Sequence, residues 1–225
     1  MQTKTSLIES RLISGDAGLF EQFQKRVEVK CVRSHIDDYL QMRITDQDAR
    51  RVKFGNSALL QAPNIKNGCG GLRDYQNLLW MTHFKYGTRT LAELEAQEMI
   101  RPNNRAQLEE GYGFLLRVRN ELHYQTKRPS DDLHKALQPK VAWQLGYKDR
   151  SPARRLEAFM RDLYMHMRRI HLITRMVERR LALRPKPSRR IPLLRSLFGG
   201  GEKQETLDGF QVIEGELVPV SSRVF

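Results

Sequence analysis

The stretch from Pro63 to Asp74 reads P-N-I-K-N-G-C-G-G-L-R-D, and it carries residue types that could engage an anion. Asn64, Asn67, Gly68 and the pair Gly70-Gly71 are turn formers gathered around Lys66, and an apolar helical pattern opens directly at Leu72. Glycine lets backbone N–H groups approach an anion, and a helix start adds unpaired donors and the positive end of its dipole. Lys66 and Arg73 place full charges at either end, so the loop could face a phosphate. A glycine-rich connection leading into an ordinary helix would have the same composition. Asp74, in the first turn, reads as a dipole partner rather than a base.

A second group is Arg119, Asn120 and His123. Arg119 and His123 are four residues apart and share a helical face with Tyr112 and Leu116, so a permanent charge sits among apolar groups and needs an anionic partner. That partner is either a carboxylate on a neighbouring helix or a bound nucleotide or phosphate. Asp131, Asp132 and His134 have metal-ligand chemistry, but two acids following Ser130 are explained by a helix start running on to Leu145, so no metal site is assigned. No phosphate loop of the G-x-x-x-x-G-K-[ST] type, no G-x-S-x-G elbow and no catalytic Cys-His spacing is present, and no catalytic residue is assigned.

The elements that would position these groups are helical. Met1 to Ser14 has a faint strand-like beginning, and Asp16 caps a helix marked by Leu19, Phe20, Phe23 and Val27. A second helix runs from Ser34 to about Phe54, a third from Leu72 to near Gly87 with Trp80 as a core residue, and a short one from Leu91 to Met99. A longer helix starts at Asn104. The longest opens at Ser151-Pro152 and carries Leu156, Met160, Leu163, Met167, Ile170, Thr174, Val177 and Leu181 in steps of four and three. Pro185 and Pro187 stop it. The expectation is an all-α antiparallel bundle of about seven helices over 15–183, a basic flexible linker over 184–208, and a hairpin-like tail over 209–225 turning at Glu214-Gly215.

The net charge of +13 over 225 residues calls for an anionic partner or an acidic neighbour. Cys31 and Cys69 lie far apart in sequence, which fits a reducing cytoplasm, and no apolar run is long enough to cross a bilayer. Arginines crowd the longest helix but are spread around it without a zinc-finger, RRM or helix-turn-helix pattern, so an acidic protein partner fits better than nucleic acid.

Four motifs in order, Pro63 to Asp74, L-L-R-V-R-N-E-L-H from Leu115 to His123, Q-P-K-V-A-W-Q-L-G-Y from Gln138 to Tyr147 and F-M-R-D-L-Y from Phe159 to Tyr164, give the chain a resemblance. From about Ser6 to Leu183 it resembles the helical domain of bacterial protein-PII uridylyltransferases and, more distantly, of glutamine-synthetase adenylyltransferases. Cys69 and the proline-basic stretch from Arg184 to Gly201 depart from the family pattern. The resemblance implies that 1–14 ends a nucleotidyltransferase domain and that the tail approaches a His-Asp hydrolase domain. It implies UMP transfer from UTP to a PII-like nitrogen-regulatory protein by the full enzyme, with magnesium held by carboxylates outside this chain. This chain would then complete the substrate site without catalytic carboxylates of its own. Lys66, Gly70, Gly71, Arg73 and Arg119 would contact nucleotide or phosphate, supported by Asn120 and His123. The alternative is a non-catalytic module that binds an acidic protein or nucleic acid through its basic helix.

Overall fold

The computed structural model describes residues 2–33 and 36–182 and, beyond them, strand residues 206–207, 210–213 and 216–219. The chain divides into two units, Met1–Arg184 and Pro185–Phe225. The first is all-α. Among the described residues it has eight α-helices: α1 (Gln2–Ile8), α2 (Ala17–Val27), α3 (Ile36–Lys53), α4 (Leu72–Tyr86), α5 (Leu91–Ala96), α6 (Pro102–Thr126), α7 (Gln138–Gln144) and α8 (Pro152–Ala182). The helix beyond the expected seven is α1. The strand-like alternation of Thr3, Thr5 and Leu7 is overridden because the helix brings Thr5 to the Tyr39 hydroxyl at 2.9 Å and packs Ile8 on the Val32, Tyr39 and Phe84 cluster.

Asp16 caps α2 as the sequence predicts, accepting from the Leu19 N–H at 2.6 Å. The chain then widens into a π-helical turn over Glu28–Val32. The stripe on α8 is the spine of the core: Leu163, Ile170 and Val177 are fully buried opposite Leu108, Leu115 and Leu122 of α6, which recur every seven residues. Each such leucine is worth roughly 1.5–3 kcal/mol against exposure. Gly111 lets the two helices approach, since a Cβ there would lie 3.1 Å from Ile170 Cδ1.

One expected helix starts later than its sequence suggests. Ser130-Asp131-Asp132 opens no helix; α7 begins only at Gln138. Instead Asn64 and Asp132 form an antiparallel bridge, the Ile65 N–H donates to the Asp131 carbonyl at 2.7 Å, and the Leu133 N–H donates to the Pro63 carbonyl at 3.0 Å. The aspartates have side-chain partners elsewhere, which outweighs the small gain from a helix dipole.

In the second unit, β1 (Thr206–Leu207), β2 (Phe210–Ile213) and β3 (Glu216–Pro219) pair antiparallel in that order, with Ile213 opposite Glu216. That pairing is the hairpin expected about Glu214-Gly215; the turn itself, and the expected linker apart from Thr206 and Leu207, lie outside the described residues.

Candidate functional site

Helix α3 has a polar inner stripe where an apolar one would be ordinary. Arg43, Gln47, Arg50 and Arg51 fall at helical spacing and face α4 and α8. Arg43 Nε donates to Asn77 Oδ1 at 2.6 Å, the Asn77 amide donates to Gln47, and Gln47 donates to Glu178 of α8. Arg51 grips both oxygens of Glu178 at 3.1 Å and reaches Asp74 Oδ2 at 3.3 Å, while Arg50 holds the other Asp74 oxygen. This chain of bonds crosses three helices and satisfies charges that would be costly to bury alone.

Asp74 is the hub, and it is fully buried. Burial alone would raise its carboxyl, but His171, whose Nδ1 lies 3.8 Å from Oδ2, and the charges of Arg51 and Arg50 outweigh burial and hold it down to about 2. Glu178 goes the other way: burial pushes its carboxyl up against the pull of Arg51. The Asp74 expected as a mere first-turn dipole partner is therefore the counter-ion of a buried network.

The outward end of that network opens on a cavity of about 380 Å³ between α1, α3 and α4. Arg43, Arg50 and Arg73 line it together with Glu9, Asp46 and Trp80. Arg43 is fixed from behind by Asn77 and pairs with Asp46 at 3.3 Å, and Arg50 is fixed by Asp74 and by the Asn67 carbonyl at 2.6 Å. Arg73 forms no ion pair among the described residues; its guanidinium lies 5.2 Å from the Trp80 ring centroid, with that of Arg43 at 5.0 Å from the same ring. Trp80 is buried, as its sequence position predicts, and its indole N–H donates to Glu9 at 2.6 Å. Burial first, and then repulsion from Arg43 and Arg50, makes the Arg73 cation easier to deprotonate than usual. An anion in the cavity would relieve both.

The glycine loop is built differently. Gly70 has φ +71, and a Cβ there would fall 1.8 Å from the Met167 carbonyl oxygen, so the loop is wedged against α8. Most of its backbone donors are used internally. The N–H groups of Lys66 and Asn67 go to the Asn64 side chain, that of Gly68 to the Asn64 carbonyl, that of Gly70 to Asp74, and those of Gly71, Leu72 and Arg73 to the carbonyls of Gly68, Ile65 and Lys66. A Cβ on Gly71 would stand 2.7 Å from the Ile65 carbonyl oxygen. Cys69 is buried, and burial raises its thiol.

Lys66 and Arg119 meet on one carboxylate. Arg119 Nε donates to Asp131 Oδ1 at 2.6 Å, Lys66 Nζ lies 3.9 Å from Asp131 Oδ2, and His123 Nε2 lies 3.9 Å from Oδ1. Asn120 is exposed on the same helix. The structure thus brings Lys66, Arg119 and His123 together on Asp131, and places Arg73 apart from them, in the cavity with Arg43 and Arg50. Among the described residues no group of three His, Cys, Asp or Glu side chains is placed to hold a metal ion. No helix among them is long and apolar enough to cross a membrane.

Sequence reasoning missed Arg43, Arg50, Arg51, Asn77 and Glu178. A signal was available: α3 reads I-D-D-Y-L-Q-M-R-I-T-D-Q-D-A-R-R-V-K, and beyond Arg43 its inward positions are glutamine and arginine rather than apolar. A helix whose buried face is charged must meet opposite charge inside the fold.

Fold and cavity define the class, an all-helical domain presenting arginines to an anion-sized hollow. Residues 38–178 match the family model described as GlnD PII-uridylyltransferase, and the chain belongs to that family. Among curated relatives, a bifunctional uridylyltransferase/uridylyl-removing enzyme of Rhodospirillum rubrum is 31% identical over 76% of this chain and 18% of its own length. Its counterpart in Ruegeria pomeroyi is 30% identical over 99% of the chain and 24% of its own length, and that of Azospirillum brasilense is 27% identical over 97% and 23%. The chain therefore spans about a quarter or less of the length of these relatives. No solved structure matches it.

Proposed function

We propose that this chain is the helical domain that completes the nucleotide site of a PII-uridylyltransferase-type enzyme, binding the phosphates of UTP while other parts of such an enzyme supply the catalytic carboxylates and the magnesium. The observation that carries the proposal is Arg73, a half-buried guanidinium with no ion pair among the described residues, held beside Arg43 and Arg50 in one cavity. Preorganised arginines favour an anion because their own repulsion is part of the free protein's energy and is relieved on binding. Gly70 and Gly71 serve this site indirectly, by letting the loop close against α8 so that Asp74 can anchor Arg50. Lys66, Arg119 and His123 gather on Asp131 outside the arginine cavity, and with the exposed Asn120 they are assigned to the acceptor side, a PII-like protein.

One observation favours the rival module that binds an acidic partner. The glycine loop packs on its own helices, and Arg154, Arg161, Arg168, Arg179 and Arg180 of α8 are exposed. Calorimetric titration of UTP into the purified chain separates the two. Saturable binding that Arg73→Ala weakens by about 10- to 100-fold, as expected for a charge-assisted contact, supports the nucleotide reading. Titration without heat, or with heat indifferent to Arg73→Ala, would favour the module.

A further inference from the structure

A second cavity, of about 210 Å³, adjoins the arginine-lined one and shares Glu9 and Trp80 with it. Its other walls include Tyr75, Gln76, Leu79 and Tyr112. Where the first cavity is lined mainly by charged side chains, this one is mostly uncharged, with Glu9 and Arg89 as its charged members and His83 beside them. Tyr75 and Tyr112 stack with ring centroids 4.0 Å apart at 18°, one from α4 and one from α6. Both rings are half-buried, so the stack is fixed by the two helices and still reaches the cavity.

We propose that this tyrosine-walled cavity takes the nucleobase of the nucleotide whose phosphates lie on Arg73 and Arg43, with Gln76 reading the base edge; the inference rests on the phosphate assignment above. Base faces stack on aromatic side chains whatever the base, so the tyrosines supply affinity and a side-chain amide must supply selectivity. Trp80 cannot be the platform, because it is buried, carries two guanidinium groups and spends its N–H on Glu9. Gln76 has only a long contact, 3.5 Å from its Nε2 to the Tyr112 hydroxyl, which leaves its carbonyl and second N–H for the alternating donors and acceptors of a pyrimidine edge. The Tyr75 hydroxyl has no hydrogen-bond partner among the described residues, and burial pushes it up to about 12, so it stays a neutral donor facing the site. The shared wall of Glu9 and Trp80 puts the base cavity directly beside the phosphate cavity, as one nucleotide requires.

The test compares three probes on the purified chain: UTP, inorganic tripolyphosphate and uridine. UTP is expected to bind about 5- to 100-fold more tightly than tripolyphosphate, the range that stacking one base supplies. Tyr112→Leu and Gln76→Ala should each shrink that advantage while leaving tripolyphosphate affinity unchanged, and circular dichroism checks that both variants fold. Tripolyphosphate binding as tightly as UTP would overturn the base subsite and leave the phosphate reading standing. Failure of both to bind would overturn both. If Tyr112→Leu does not fold, Gln76→Ala alone decides: an undiminished preference for UTP over tripolyphosphate would overturn the role of Gln76.

Discussion

Two regions flank the start of α4, and they use the same residue types to opposite ends. The glycine loop has the composition of an anion cradle, yet most of its N–H groups are bonded to the protein and Gly70 is pressed against the Met167 carbonyl. The cavity one turn away has no glycines in its lining, yet it holds Arg43, paired with Asp46, Arg50, paired with Asp74 behind it, and Arg73, which has no ion pair among the described residues. Composition alone does not distinguish a cradle from a wedge. What distinguishes them is whether donors and charges already have partners inside the fold, because only an unsatisfied group gains from a ligand.

The comparison breaks most easily at the loop. Gly70→Ala combines a left-handed backbone with a Cβ driven into a main-chain oxygen, and is expected to cost roughly 3–5 kcal/mol or prevent folding. Gly87→Ala is its control: φ is a similar +74, but nothing lies within 4 Å of the added Cβ, so the loss should stay near ~1 kcal/mol. Equal losses in thermal unfolding would mean that the loop is not wedged against α8.

Asp74→Asn should come next. It removes the carboxylate paired with Arg50 and one of the two paired with Arg51, at a cost of roughly 3–5 kcal/mol by urea unfolding. The pH dependence has a definite sign. Because the folded carboxyl sits at about 2, below its ordinary 3.8, its contribution is complete above pH 3.8 and is lost as pH falls through 2. The part lost is roughly 2 kcal/mol. Glu178, raised by burial, works in the opposite direction, so the quantity to follow is the difference between wild type and Asp74→Asn. A difference that is flat between pH 5 and 2 would remove Asp74 as the hub.

The cavity arginines sharpen the contrast further. Arg43→Ala loses the Asn77 bond as well as a cavity charge, so anion affinity should fall and stability should drop by about 1–3 kcal/mol. Arg73→Ala should lower affinity while changing stability by no more than about 0.5 kcal/mol, as its side chain ties no two helices by an ion pair. Similar stability losses in both variants would make Arg73 a structural arginine.

How much of this was legible follows from what periodicity can encode. The α8 stripe and the α6 leucines repeat at helical spacing with strong apolar contrast, and both helices stand where the pattern puts them. The Asp16 cap was legible because its bond is local, three residues away. Asp131 was misread because its partners, Arg119 and Lys66, are distant in sequence, and a local rule about acids in first turns stood in for them. Arg73 was singled out from the loop, but its companions Arg43 and Arg50 were not, since the cavity exists only once α3 crosses α4. Pairings across helices leave a trace in one sequence only as polar residues on a face that should be apolar, and α3 carries that trace.

The smallest effect concerns the Asp131 cluster, where the fold offers Arg119 a partner that the sequence left unidentified. Arg119 and Asp131 bond at 2.6 Å, with 28% and 21% of their side chains exposed, so screening by solvent limits the pair to about 1 kcal/mol or less. The carboxylate also sits on the segment whose carbonyl receives the Ile65 N–H, so the pair braces the strand-like contact that closes the glycine loop. A double-mutant cycle of Arg119→Ala and Asp131→Asn should give a coupling of about 0.5–1 kcal/mol that shrinks in 1 M salt. UTP affinity should be unchanged in Arg119→Ala, because its charge is already committed to Asp131 and the proposed phosphate contact is Arg73. Loss of UTP binding in that variant, at unchanged stability, would move the nucleotide from the arginine cavity to the Lys66 and Arg119 cluster and reverse the contrast between the two regions.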